Sequence, residues 1–303
     1  MIDAERTEAR ALPRTGTGVL APVLGAFQAV ATFSKRKPLG AAGGAITVVL
    51  MAVAILAPLL APHDPRELMG VVHAPPQLAF PLGTDAVGRD MLSRVIYGAQ
   101  ISLYVGLGSV LIGITAGFVL GVATTYAGGL VDMSFQRVVD AFMALPGLII
   151  ALAIMAVLGP SLNNVIIAIV IGMVAPVVRT VRSQVLSMKE MDYVLAARAV
   201  GASSKRIIFR HIAPNCFATY LVLATYYLGF AIILEAGLSF LGVGSPPDEA
   251  SWGGMLSRAT EFHVSVAPWV GIFPGIAIFV VVFGFNLLGD ALRYVFDPKL
   301  RGR

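Results

Sequence analysis

Charge is what this chain has least of. Of its 303 residues only 13% are Asp, Glu, Lys or Arg, about half of the roughly 25% usual in a soluble domain. The other side of that scarcity is a 57% hydrophobic share, before glycine is counted, and a mean hydropathy of +0.83. A soluble globule of this length leaves too much surface in water to hide so many apolar groups, so a soluble enzyme is excluded. A disordered chain is excluded as well, because disorder goes with low hydrophobicity. Cysteine is nearly absent: Cys216 stands alone and permits neither an internal disulfide nor a cysteine-rich zinc site. The histidines His63, His73, His211 and His263 are scattered, with no HExxH spacing, so no metal site is expected. A GxxxxGK[ST] phosphate loop is missing too, and with it that route to ATP binding.

What is there is six apolar runs, at 40–60, 101–125, 141–159, 162–178, 217–234 and 266–288. The first would be about 31 Å long as a helix, enough to cross the hydrocarbon core. No strand alternation of the barrel kind competes with these runs. The expected fold is an all-α polytopic membrane protein with six transmembrane helices. With the N-terminus inside, the inside segments hold 18 of the 22 Lys and Arg residues. That asymmetry predicts both termini in the cytoplasm. It also accounts for the net charge of +5 without nucleic acid, for which basic residues interleaved with aromatics on one face are wanting. The expected layout is a cytoplasmic tail over 1–39, in which 19–33 could form an interfacial helix on membrane lipid. A first span over 40–60, an outer loop over 61–100, a five-span core over 101–289 and a cytoplasmic tail over 290–303 follow.

Within the second run, Gly113, Gly117 and Gly121 recur every four residues and are expected to let another helix approach closely. Pro146, Pro176, Pro268 and Pro274 lie in or at the ends of runs, where they bend helices. Arg179 and Arg182 are expected to end the fourth span as snorkelling anchors. Glu235 is the one acid at or near membrane depth and is either functional or at the outer interface, hydrated or hydrogen-bonded to a neighbouring helix end. Beyond it, Leu238 to Gly242 is apolar and small, Pro246-Pro247 stiffens the exit, and Trp252 offers an amphipathic ring at headgroup depth. Glu235, Leu238, Phe240 and Trp252 are therefore candidates for an outer gate.

The inside loop over 179–215 carries helical signals of its own. Ser187-Met188-Lys189-Glu190 fits a capping box, opening a helix over 191–200 that Gly201 ends. Ser203 or Ser204 can cap a second short helix, and Pro214 marks the return to the membrane. The product is a compact helix–glycine–helix knob with small residues on one side, built either to dock or to lie on lipid headgroups.

Ala196-Ala197-x3-Gly201, followed by Ile212-Ala213-Pro214-Asn215, resembles the EAA loop of permease subunits of bacterial ABC importers. The words Leu82-Gly83-Thr84-Asp85-x2-Gly88-Arg89-Asp90, Arg94-x2-Tyr97-Gly98-Ala99, Leu238-Ser239-Phe240-Leu241-Gly242 and Ser251-Trp252-Gly253 narrow the resemblance. They are similar to the dipeptide/oligopeptide/nickel permease group and its C-type subunit, over about residues 40–298. Two positions depart: Leu195 stands where the EAA word has Glu, and Ala213 where the later word has Leu.

The resemblance implies a type I importer permease fold in the bacterial inner membrane. The loop's Ala196, Ala197, Gly201, Ala202, Ser203 and Pro214 would form a coupling helix seated on a cytoplasmic ATPase. It implies as partners a homologous B-type permease, one or two ATPase subunits and an extracytoplasmic binding protein, with ATP and Mg bound by the ATPases and no cofactor here. Cargo would be di- or oligopeptides; nickel chelates, opines or oligosaccharides are the alternatives. A secondary transporter or channel would leave the docking loop without a use, and a membrane enzyme would need a convergent polar set that the spans do not show.

Overall fold

The computed structural model describes residues 37–261 and 266–296. The tail expected over 1–39 and its segment 19–33, like the end of the 290–303 tail, fall almost wholly outside these residues. Among the described residues the regular structure is helical; the two β-bridges, Gln77–Phe80 and Thr84–Asp90, are isolated.

Helix α1 (Pro38–Ile55) starts on a proline, whose missing N–H costs nothing in a first turn. It breaks at Leu56 and resumes as a single turn, α2 (Ala57–Leu60). Gly40, Gly43, Thr47, Leu50 and Ala54 form its buried stripe. Gly43 lies so close to the last helix that a Cβ there would sit 2.6 Å from Gly284 O and from Leu288 N.

Helix α3 (Met91–Ala127) has 37 residues, about 55 Å at 1.5 Å per residue. It begins ten residues before the apolar run does, because the Asp90 carboxylate accepts from Ser93 N (2.9 Å) and Ser93 Oγ (2.6 Å) and caps it. The loop expected over 61–100 therefore closes at Asp90.

The third run is not one straight helix. It is a pair, α4 (Gly129–Met143) and α5 (Gly147–Leu158), bent by 85°. Pro146 cannot continue α4 and serves as the N-cap of α5.

Helix α6 (Leu162–Lys189) runs 11 residues past the end expected at 178 and carries Pro176 inside. The capping box at 187–190 does not form: Ser187 is still in α6, Glu190 is its C-cap, and the short helix α7 (Asp192–Ala199) has Met191 at its N-cap with no side-chain bond. The apolar grip of Val181, Val185 and Met188 on the bundle outweighs the local capping signal. Helix α8 (Ser204–Ile207) is capped by Ser203, whose Oγ accepts from Arg206 N.

Pro214 does not break the chain on its way back to the membrane. A π-helical turn, Ile208–Ile212, absorbs it, with Ala213 N bonded back to Ile208 O, and α8 runs into α9 (Ala213–Phe240) as one apolar helix over Ser204–Phe240. Asn215 Nδ2 donates to His211 O at 2.6 Å, serving a carbonyl in that loosened turn. Helices α10 (Trp252–Glu261) and α11 (Trp269–Phe296) complete the fold, so the last helix extends past the boundary expected at 289.

Five helices are long and apolar enough to span a bilayer, and the α4–α5 pair makes a sixth when taken as one span. The packing requires it to be one. A Cβ on Gly113 would meet Met173 and Val170, one on Gly117 Val177 and Val174, one on Gly121 Val181 and Val178. Both partners advance together, so α3 and α6 run parallel, and α4–α5 must carry the chain back to where α3 began. The main core lies between α3, α6 and α9, built on Val105, Ile114, Ile169, Met173, Val177 and Ala231. A second cluster, with Met91, Trp252, Met255 and Phe285, fills the end where α3 starts.

Candidate functional site

Two constructions stand at opposite ends of the bundle: a knob where α6 ends, and a cap where α3 begins.

The knob is α7, Gly201 and α8. Gly201 has φ +79°, and its N–H bonds Arg198 O while Ala202 N bonds Ala197 O, each at 3.0 Å. These two bonds are a Schellman closure, which needs a left-handed residue at the position of Gly201. A Cβ on Gly201 would meet nothing within 4 Å, so the glycine is there for its backbone and not for lack of room. Val194, Ile207 and Ile212 are buried and fasten the knob to the bundle, while Leu195 (41% exposed), Phe209 (75%) and Val200 (84%) face outward. Of the coupling candidates, Ala196, Gly201, Ser203 and Pro214 are exposed, and Ala197 and Ala202 are half-buried. Burial at the base of the knob, with Cys216 adding to it, raises the Tyr193 phenol above its ordinary pKa.

The shaft under the knob is ionic. Arg182 Nε donates to Asp132 Oδ1 at 2.9 Å and Oδ2 at 3.1 Å, and Arg182 Nη2 to Oδ2 at 2.7 Å. Arg179 pairs with Asp140. Lys189 Nζ donates to Thr125 O (3.1 Å) and Tyr126 O (3.3 Å), a cation closing the carbonyl end of α3. Arg179 and Arg182 are thus not lipid anchors ending a span; they lie within α6 and hold α4. Between α4 and α6 is an open cavity of about 780 Å³, bordered by Gly129, Asp132, Gln136, Asp140, Arg179 and Arg182. Sequence reasoning missed Asp132 and Asp140. Their spacing of eight residues on an amphipathic helix was the available signal, since it puts both on one face.

The cap joins residues 61–90 to residues 241–251. Its centre is Arg94, fully buried, donating to Pro65 O (2.8 Å) and Glu249 O (3.2 Å), with Asp85 Oδ2 3.8 Å from its Nε. Asp85 Oδ1 also accepts from Val87 N and Arg89 N, both at 2.9 Å. Gly83, at φ +78°, lies under Trp269, whose Nε1 donates to Thr84 O at 3.2 Å. Trp252 does not offer its ring to a headgroup layer, because it is buried. It is 2% exposed, sits against Gly98 and donates from Nε1 to Val95 O at 3.0 Å.

After Phe240 the chain closes on Gly242 (φ +78°) with the same two-bond motif as the knob, Gly242 N to Ser239 O and Val243 N to Leu238 O. It turns back so that Gly253 lies on the backbone of Ala236. Leu238 is fully buried and Phe240 40% exposed. Glu235 is not hydrated at an interface: it is buried, and its Oε1 accepts from Ser239 Oγ at 2.8 Å. Hydroxyls continue from there, Ser239 to Ser245 at 3.1 Å and Ser245 to Ser251 at 2.7 Å. The four gate candidates therefore share one region, Glu235 and Leu238 beneath the fold-back and Trp252 within it.

Comparison with known proteins agrees with this architecture. Residues 109–302 match the family described as binding-protein-dependent transport system inner membrane component. Residues 29–76 match the N-terminal TM domain of oligopeptide transport permease C. The chain belongs to the binding-protein-dependent transport permeases. It is 42% identical over 261 residues to a peptide transport system permease protein of Brucella suis, covering 84% of this chain and 88% of that protein. It is 41% identical over 273 residues to the dipeptide transport system permease protein DppC of Alkalihalophilus pseudofirmus, covering 88% of each. To the glutathione transport system permease protein GsiD of Pectobacterium atrosepticum it is 39% identical over 268 residues, 88% of this chain and 89% of the other.

Proposed function

We propose that this chain is the C-type permease half of an ATP-driven importer of short peptides, glutathione-like peptides included. The observation that carries the reading is the knob: a rigid, Schellman-closed pair of short helices with exposed Leu195, Val200 and Phe209, seated directly on the end of α6. An exposed apolar group of this kind marks a surface for another protein, and an ATPase subunit is the partner that gives it work. The knob side is cytoplasmic and the cap side faces the binding protein. A homologous B-type permease supplies the other half of the path, and ATP and Mg are bound on the ATPases; this chain performs no catalysis. Its residues at and beside the knob, Ala196, Ala197, Gly201, Ala202, Ser203 and Pro214, form the contact, while Glu235, Leu238, Phe240 and Trp252 hold the outer closure.

The test is purification of the tagged chain from its host in mild detergent. A second permease chain and an ATPase with a phosphate loop should copurify, and liposomes holding that assembly with its binding protein should accumulate labelled di- or tripeptides only when supplied with ATP. Uptake driven by an ion gradient, with no ATPase bound, would replace this reading by a secondary transporter.

A further inference from the structure

The knob stands on α6, yet α6 is not uniformly stiff or uniformly held. Its knob-end half is bound to α4 at three points. Asp132 meets Arg182 through the three hydrogen bonds described, Asp140 meets Arg179, and beside the second pair Val139 is buried in one cluster with Val178 and with Ala175, the neighbour of Pro176. The Arg182–Asp132 pair is forked and so holds direction as well as distance, while Arg179–Asp140 adds a single contact. The cap-end half of α6 instead packs on α5, where Ala151 and Met155 join Val165 and Ile169 in the main core.

The boundary between the two halves is weak in both layers. In one it is the 85° break between α4 and α5 at residues 144–146. In the other it is Pro176, which cannot donate to the carbonyl four residues back, at Gly172. These two weak points are neighbours: a Cβ on Gly172 would be 3.8 Å from Gly147 O and 3.9 Å from Gly147 Cα. Two helices that are each interrupted at one level, with a glycine from each in contact there, form a joint.

We propose that α4, the knob-end half of α6 and the knob move as a single arm, clamped by the Asp132–Arg182 and Asp140–Arg179 pairs, and that the arm turns at the joint formed by residues 144–147 and 172–176. The inference rests on the importer reading above and adds the moving part and its positioning residues. Displacement of the knob by an ATPase would then swing α4, and with it the wall of the cavity between α4 and α6. Val177 and Val181 of the same half of α6 fill the notches at Gly117 and Gly121 of α3, so the arm turns about this seam and does not leave it. Lys189 limits the travel, because it ties the foot of the arm to the last carbonyls of α3.

The experiment uses the complete transporter in liposomes and compares Arg182→Asp, Asp132→Arg and the double exchange. Each single change should lower peptide uptake by about tenfold while ATP hydrolysis continues, and the exchange should restore uptake, as expected of a directly coupled pair. Arg182→Lys, which keeps charge but loses the fork, should fall between. Spin labels on exposed positions give a second reading, on a Cys216→Ser background. The distance between Ser134→Cys and Ser183→Cys, both on the arm, should be the same with and without trapped nucleotide. The distance between Ser134→Cys and Val157→Cys, across the joint, should change. Normal uptake by both single variants overturns the proposal, and so does a Ser134–Ser183 distance that changes with nucleotide. Loss of uptake and hydrolysis together without rescue by the exchange also overturns it, because the residues would then be needed only for assembly. Failure of the unaltered transporter to show ATP-driven uptake is a different result: it removes the importer reading, and the proposal falls with it.

Discussion

At the scale of single residues, the glycines separate into two kinds, and the kinds predict different mutant behaviour. Gly201 stands in open space at φ +79°, so its substitution is a backbone problem. Gly201→Val should cost about 1–2 kcal/mol in the closure of the knob and lower uptake per ATP hydrolysed. Gly201→Asn, which tolerates the left-handed region, should keep most of both. Gly117 is the opposite case. A Cβ there would lie 2.6 Å from Val177 Cγ1, and the φ is ordinary. Gly117→Val should lower stability by about 1–3 kcal/mol through overpacking, read as a lower melting temperature in detergent. Gly147→Ala, with nothing within 4 Å, should leave that temperature unchanged. Spacing alone shows why Gly117 is small, because period four on an apolar helix means a helix face. It does not distinguish the reason at Gly201 from simple lack of space, since a positive φ has no spacing signature.

At the scale of elements, the cap is held by one side chain more than by any helix. Arg94 reaches carbonyls in two separate loops, at Pro65 and at Glu249. Arg94→Ala should cost on the order of 3 kcal/mol, because it opens a hole in the cap and leaves the Pro65 and Glu249 carbonyls without their charged donor. The measurement is limited proteolysis, with residues 61–90 becoming the first segment cut. Arg94→Lys should not rescue it, since one ammonium cannot replace a fork that serves both carbonyls. Most of this was hidden in the sequence. The words around Asp85 and Arg94 are visible as words, yet their meaning depends on Glu249, some 155 residues away. Helix ends were legible only where a local device sets them, as Ser203 does for α8. At α3 and α6 the apolar run is shorter than the helix, because polar first and last turns are stabilised by caps and ion pairs that hydropathy does not register. Trp252 was misplaced for a related reason: an indole is as suited to a buried hydrogen bond with Val95 O as to a headgroup layer.

At the scale of the whole molecule, the all-α class and the number of crossings followed from the six apolar runs, and the bend in the third from Pro146. The sidedness rests on the distribution of Lys and Arg and has its own test. On a Cys216→Ser background, a cysteine at position 205 should react with a membrane-impermeant reagent only after the cells are opened, and one at position 245 should react in intact cells. Reaction at 205 from outside would reverse the assignment. The parallel course of α3 and α6 gives this measurement unusual leverage. Parallel neighbours force an odd number of crossings between them. The turn at Gly128, the knob at Gly201 and the paired ends of α1 and α11, where Lys37 lies 3.3 Å over the Tyr294 ring, therefore all share one compartment whichever way the protein is inserted. A reporter fused at any one of these sites fixes the address of all the others, and reporters at Gly128 and Gly201 that disagree would mean that the α4–α5 pair between them does not cross.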